Sequence, residues 1–413
     1  MNKDDVLKEI VDYYLGSRDY NGLPVYNMKH YSYALLCELI DENKIEVLSD
    51  EVLNPHVKCF PITVDKEIQK KNIARSKHAV LYPTEEFLKS QNIQCTAPYS
   101  QLMKLGCHQF KVLYFDIEIL ERYINNPKFF IFDDGYRGNI YIKDEYCDEE
   151  ETLQYEYIKD YGMAYPKKGK FNRAIGVFVY DLAKLSEQKQ QLWKGFELQN
   201  QSNWDIHPGF IKNLILGDWV TEFWVYHAVL LEMSVINEFC DAMQIPKLFN
   251  HTYGIHPTEI PEGYRNIFLP TKKNFYDFVL VLEKILVHNI SYKIFQKTAP
   301  NVKPIERQTT DGKDKGSLSM LEEWLDVNSS AKLEDIQKII IEPLKRIRKI
   351  RQVPAHELIS NDYDLDYYKQ QNELMGDVYS AIASVRRLLS THPNTKTVEV
   401  PEVLDDVENI VGY

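Results

Sequence analysis

Beyond Pro270 the sequence carries no strand signal, and this limits the fold of its last third more than any composition figure does. Apolar residues there recur at helical spacing in four segments. Residues 274–295 set Phe275, Phe278, Val279, Leu282, Leu286 and Ile290 on one face. Residues 318–327 form a shorter segment centred on Trp324. Residues 333–352 follow, with Pro343 expected to kink them. Residues 365–390 carry Leu374, Val378, Ala381, Ile382, Val385, Leu388 and Leu389, and His392-Pro393-Asn394 stops them. Such segments, joined by polar connections such as 298–316, predict an all-α bundle. The acidic residues 394–413 read as a loosely attached tail.

The first 270 residues read differently, as mixed α and β. A helix over 4–15, a turn over 16–22, a helix over 30–41 and a strand over 44–48 give the outline of a small winged helix. The second helix carries little basic charge. The module therefore reads as a packing or protein-contact unit in preference to a DNA reader. Thr84 is placed to cap a helix entering Phe87 and Leu88. Residues 110–123 contain a strand, then a helix from near Asp116. Residues 128–132 and 139–142 flank Asp133-Asp134-Gly135, which predicts a hairpin. The acids of 144–160 are consecutive, as in a solvated loop, and are not spaced for a metal. A strand over 174–180 and a helix over 182–193 come next. A long helix over 213–243, carrying Trp219, Phe223 and Trp224, is ended by Pro246. His227 within it reads as a core histidine. Residues 254–270 read as a linker and as the main domain boundary.

At 413 residues the chain is long enough for two or three domains of roughly 100–200 residues each. The expected fold class is α+β and multidomain. Residues 1–60 are the winged-helix-like module and 61–210 a mixed α+β region. Residues 211–270 are the long helix and linker, 271–393 the bundle, and 394–413 the tail. A formal net charge of -12 argues against a whole surface that coats nucleic acid, although it permits a local basic groove. No run of about 18 apolar residues exists, so no membrane span is expected. Met1-Asn2-Lys3-Asp4-Asp5 leads into the first helix and does not read as a signal peptide. The six cysteines are scattered without paired spacing, as expected of reduced core thiols in a cytoplasmic protein. Cys107-His108 has no nearby second pair, so no metal and no cofactor are expected.

One stretch reverses the sign of the chain. Five of the seven residues from Lys345 to Arg351 are basic, which suggests a phosphate-facing surface. The stretch ends in Arg351-Gln352-Val353-Pro354-Ala355-His356, an arginine and a histidine separated by four residues. Pro354 lacks a backbone donor, so the helix is expected to kink or end before His356. In this motif and its setting, residues 272–393 resemble a HEPN domain (higher eukaryotes and prokaryotes nucleotide-binding). The resemblance covers about a third of the chain, and the residues flanking the motif fit the style of bacterial members.

The resemblance implies a HEPN-like helical bundle and a metal-independent endoribonuclease of the toxin or antiviral-defence kind. It implies a homodimer whose two motifs face one shared cleft, with RNA as substrate. The N-terminal part would regulate the site, with or without a partner protein. His356 would take the 2′-hydroxyl proton or protonate the leaving 5′-oxygen. Arg351 would hold the non-bridging phosphate oxygens as charge builds. Arg348 and Lys345 would bind phosphate, and Glu283 or Asn289 would complete the site. Neighbouring positive charge should lower the pKa of His356. The products would be a 2′,3′-cyclic phosphate and a 5′-hydroxyl. Arg387 and His392 repeat the spacing at the end of the last helix, where His392 is expected to cap carbonyls. The alternative is a catalytically silent HEPN scaffold or a regulatory interaction protein. An enzyme needs Arg351 and His356 exposed together in a basic cleft, whereas a scaffold permits either to be held in a salt bridge.

Overall fold

The computed structural model describes residues 2–16, 22–52, 54–58, 61, 63–76, 78–218, 220–296, 302–356 and 360–412, with backbone alone for 354–356. The chain divides into two units. The first holds 1–131, 139–169 and 173–206, and the second holds 132–138, 170–172 and 207–413.

The first unit begins with α1 (Lys3–Gly16), which buries Val6, Leu7, Ile10 and Tyr14 along one stripe. The strand β1 (Leu23–Pro24), the helix α2 (Tyr33–Asp41), the strand β2 (Ile45–Leu48), the helix α3 (Lys66–Arg75) and the strand β3 (Val80–Pro83) follow. They build an antiparallel sheet of order β1-β3-β2. The middle strand is wholly buried, consistent with its run of Val80, Leu81 and Tyr82. The expected helices and strand are present, and α3 lies between β2 and β3 in the chain. Of the expected turn, residues 17–21 lie outside the described residues.

Thr84 caps α4 (Glu85–Ser90), accepting from the Phe87 amide at 3.2 Å. The elements α5 (Pro98–Lys104), β4 (Val112–Asp116), α6 (Glu121–Ile124), β5 (Phe129–Asp133) and β6 (Arg137–Ile142) come next. They are followed by α7 (Glu150–Leu153), β7 (Asp160–Pro166), β8 (Ala174–Phe178), α8 (Val179–Lys184), α9 (Glu187–Gly195) and β9 (Trp204–Ile206). The second sheet runs β4-β8-β7-β6-β5, with β9 also on β7. Gly176 in β8 is a close-approach position, because a Cβ there would stand 2.7 Å from Ile206 and 2.9 Å from Val112. The expected hairpin is present as β5 and β6. Gly135 turns it at φ +76°, and its amide donates to Asp133 Oδ1 at 2.9 Å.

The single helix expected over 182–193 is two helices, α8 and α9. Gln190 bridges the break, because its Nε2 donates to the carbonyls of Leu185 and Ala183 at 2.9 and 3.2 Å. Its Oε1 accepts from the amides of Tyr99 and Ser100, both at 3.0 Å. The buried amide thus satisfies backbone groups that the interruption leaves open.

The second unit starts with α10 (Pro208–Ile211), and a π-helical turn over Lys212–Leu216 closes on Gly217 at φ +70°. The strand β10 (Phe223–Trp224) then leads into α11 (Val225–Ala242). The long helix therefore begins later than expected, and it ends before Pro246 as Gln244 turns to φ +60°. From α11 to residue 389 the chain is largely helical: α12 (Lys272–Ile285), α13 (Lys293–Gln296), α14 (Ser317–Asn328), α15 (Leu333–Asp335), α16 (Glu342–His356) and α17 (Asp366–Leu389). All of these helices except α15 share one apolar core that includes Val229, Leu282, Trp324, Ile347 and Ile382.

Four expectations change here. Residues 254–270 are packed against this core, where Tyr264, Asn266, Ile267 and Phe268 are buried. Gln371 holds that strand of chain by accepting from the Ile267 amide and donating to the Arg265 carbonyl, both at 3.0 Å. The helix expected over 274–295 breaks after Ile285. Residues beyond the break turn to pair with 248–251, Ser291 donating to Leu248 at 2.7 Å and Asn250 to Asn289 at 2.8 Å. The single helix expected over 333–352 is interrupted by a π-helical stretch, Ile336–Ile341, just ahead of Pro343, where a wider turn eases the clash of the proline ring one turn back. The tail is anchored. The strand β11 (Ile410–Val411) pairs in parallel with β10, Leu404 is fully buried, and Arg386 donates to the Leu404 carbonyl at 3.0 Å.

Among the described cysteines none is bonded to another. Cys240 is a core thiol, but Cys147 is exposed.

Candidate active site

The basic stretch occupies α16. Leu344 and Ile347 face the core, so helical spacing places Lys345, Arg348 and Arg351 along one flank. Against that flank lies α12. Its face carries Phe275, Phe278, Val279 and Leu282, and Glu283 beside them is only 2% exposed. A carboxylate buried so deeply needs a cation. Arg351 Nε stands 3.1 Å from Glu283 Oε2, and Arg348 Nε stands 3.8 Å from Oε1. At Oε2 the approach is close but poorly aligned for a hydrogen bond, so the contact is an ion pair. Both arginines remain more than a third exposed. One negative charge is set against two guanidinium groups, so the local balance stays positive.

His288 completes this cluster, and the sequence reading did not single it out. Its Nε2 lies 3.6 Å from Glu283 Oε1, and its ring is about half exposed. The end of α12 puts it there, because the His288 amide donates to the Glu283 carbonyl at 3.0 Å. The signal available in the sequence was a glutamate beside an apolar stripe, with a histidine five residues on.

The other named residues fall as follows. The backbone of α16 continues through Pro354 to His356, so of the expected kink or end before the histidine the end does not occur. A proline this close to a helix end costs little beyond one hydrogen bond. The side chain of His356 lies outside the described residues. Lys345 reaches Glu322 of α14 at 3.1 Å. Asn289 is buried and committed elsewhere: it accepts from the His251 amide at 2.9 Å and donates to the His251 carbonyl at 2.7 Å. It pins a loop and does not join the arginines. Arg387 is exposed. His392 accepts from the Asn394 amide at 3.3 Å, so it caps the following turn and not the carbonyls of α17.

A second buried histidine sits away from this cluster. His227 packs face to face with Phe132, ring centroids 5.7 Å apart, and its Nδ1 is 3.5 Å from Asp134 Oδ1. Burial pushes its pKa down to about 4 and pushes Asp134 up to about 6. Its Nε2 is enclosed without a partner. It is a core group, as its apolar setting on α11 implied.

Among the described residues no cluster of three or more His, Cys, Asp or Glu side chains could hold a metal ion. Among them, too, no helix is long and apolar enough to cross a membrane. No protein-family model matches the sequence, and no curated protein and no solved structure shows significant similarity to it.

Proposed function

We propose that the chain is a metal-independent endoribonuclease whose active site is built on the HEPN-like motif of α16. The observation that carries this reading is the Glu283 anchor, which holds Arg348 and Arg351 side by side, half exposed, on the helix that ends at His356. Guanidinium groups fixed in this way bind a phosphodiester without first losing rotamer freedom. RNA brings its own nucleophile, the 2′-hydroxyl. His356 removes that proton, contributing about 10²–10⁴-fold, and Arg351 takes up the charge growing on the non-bridging oxygens. Arg348 steers the backbone, with Lys345 one turn earlier. His288, beside the same carboxylate, is a second imidazole positioned to protonate the leaving 5′-oxygen. The products are a 2′,3′-cyclic phosphate and a 5′-hydroxyl. Two protomers pair so that their motifs share one cleft. The N-terminal residues act in regulation, and the winged-helix-like start serves protein contact, since α2 contains no lysine or arginine.

A second reading is a catalytically silent HEPN scaffold. The Arg351–Glu283 ion pair favours it, because such a pair also serves simply to clamp α16 to α12. Incubation of total RNA and tRNA with wild type, Arg351→Ala and His356→Ala separates the two readings. The enzyme reading expects cleavage by wild type alone. Equal cleavage by all three proteins would remove both residues from the mechanism, and no cleavage by a correctly folded wild type would favour the scaffold.

A further inference from the structure

The first unit encloses a cleft of about 670 Å³, within the usual size range of small-molecule sites. Its walls come from α1, α5, α8 and the chain from α7 into β7. Four tyrosines line it, of which Tyr14 is buried and donates its hydroxyl to the Met103 carbonyl at 2.6 Å. Tyr157 is buried, Tyr180 is half-buried and Tyr155 is exposed. Three lysines, Lys104, Lys159 and Lys184, stand at its wall with two acids, Glu150 and Asp181. The Lys184 ammonium lies 3.6 Å from the centroid of the Tyr180 ring and 3.4 Å from Asp181 Oδ1. The side chains of Lys104 and Lys159 form no hydrogen bond or ion pair with any described residue. Asp181 lies largely buried among these groups, and burial, with Asp160 nearby, raises its pKa to about 6.

Each part of this cleft narrows the ligand. Lysines drawn to one opening, two of them unpaired in an acidic molecule, call for an anion. A plain inorganic anion makes no use of the exposed Tyr155 ring at the opening, on which a planar ring stacks. A neutral aromatic molecule leaves the lysines without a counter-charge. The Asp181 carboxyl adds an acceptor for an amino or hydroxyl group. A phosphate, a ribose and a base in one molecule meet all three conditions.

We infer that this cleft binds a nucleoside monophosphate, with its base against the tyrosines, its phosphate at Lys104 and Lys159, and a polar hydrogen of base or ribose on Asp181. The site belongs wholly to the first unit and involves neither Arg351 nor Glu283. It therefore stands independently of the ribonuclease reading.

Calorimetric titration of the full-length protein tests it, with AMP, GMP, CMP, UMP, adenosine and inorganic phosphate as probes. At least one monophosphate is expected to bind, with adenosine and inorganic phosphate about tenfold weaker or worse. The Lys104→Glu, Lys159→Glu double variant should abolish binding, and Tyr155→Ala should weaken it by about tenfold. All three positions are at least partly exposed, so the fold should survive, and circular dichroism checks that. The inference is overturned if no monophosphate binds in the millimolar range, if inorganic phosphate binds as tightly as the nucleotides, or if the cleft variants keep full affinity. It is equally overturned if Arg351→Ala alone removes binding.

Discussion

Glu283 shows how one residue can organise a site from beneath. It is nearly inaccessible, while the arginines it holds are partly solvated. The two partners should therefore respond unequally to substitution. Arg351→Ala leaves a buried carboxylate with only the more distant Arg348 and His288 beside it, and should cost about 2 kcal/mol of stability. Glu283→Gln removes the buried charge and leaves Arg351 free to turn into water, so it should cost only about 1 kcal/mol. Urea denaturation measures both, and a larger loss for Glu283→Gln would refute the anchoring role. At His227 the expectation concerns pH. Its folded pKa is lowered from 6.5 to about 4, so its contribution is full above 6.5 and lost as pH falls toward about 4. Asp134 is raised from 3.8 to about 6, so its contribution is present at low pH and lost as pH rises through about 6. The two trends oppose each other over most of that window. Asp134→Asn deletes one of them, so its stability should fall more steeply than that of wild type as pH drops from 6.5 toward 4. Parallel thermal-melting profiles for the two proteins would contradict this.

At the scale of elements, α17 joins two parts of the second unit through Arg386. The side chain is nearly inaccessible, and its Nε lies 2.6 Å from Glu232 on α11, a carboxylate with no exposed surface. The same guanidinium donates to the Leu404 carbonyl and lies 3.5 Å from Asp405. Arg386→Ala should thus destabilise by roughly 3–5 kcal/mol, because it leaves Glu232 buried and unpaired. Arg386→Met combined with Glu232→Leu should recover most of that loss, and a double variant as unstable as the single one would show that the charge pair is not the cause. This contact also explains why the tail was misread. Its acidic composition describes solvated chain, but the buried Arg386 just before it and the strand β10, far earlier in the sequence, capture it. Helices themselves were legible, since α1, α12, α14 and α17 each display an apolar stripe at helical spacing. Their interruptions were not. The break between α8 and α9 is filled by Gln190, and the break after α12 is made by pairing with 248–251. The second depends on partners remote in sequence, and in the first Gln190 is itself tied to the remote amides of Tyr99 and Ser100, none of which periodicity registers.

In the whole molecule a mixed α/β unit and a largely helical unit each have their own core. The change of hydrophobic period near Pro270 pointed to this difference. The helical unit nonetheless runs from residue 207 and takes in 132–138 and 170–172 as well, and α11 and the 254–270 segment share the apolar core of its later helices. The candidate site was legible to a similar degree. Reversed charge marked Arg348 and Arg351, and Glu283 stood out as a polar residue on a core helix. His288 was missed and Asn289 overvalued, because which of two neighbouring polar side chains faces the arginines depends on where the helix ends.

Cleavage of RNA at this site without a metal, as proposed, is read from the ends of the fragments. Wild-type protein should cut RNA in the presence of EDTA and leave 2′,3′-cyclic phosphate and 5′-hydroxyl ends, as attack by the 2′-hydroxyl demands. Fragments with 3′-hydroxyl and 5′-phosphate ends, or cleavage that EDTA abolishes, would contradict it.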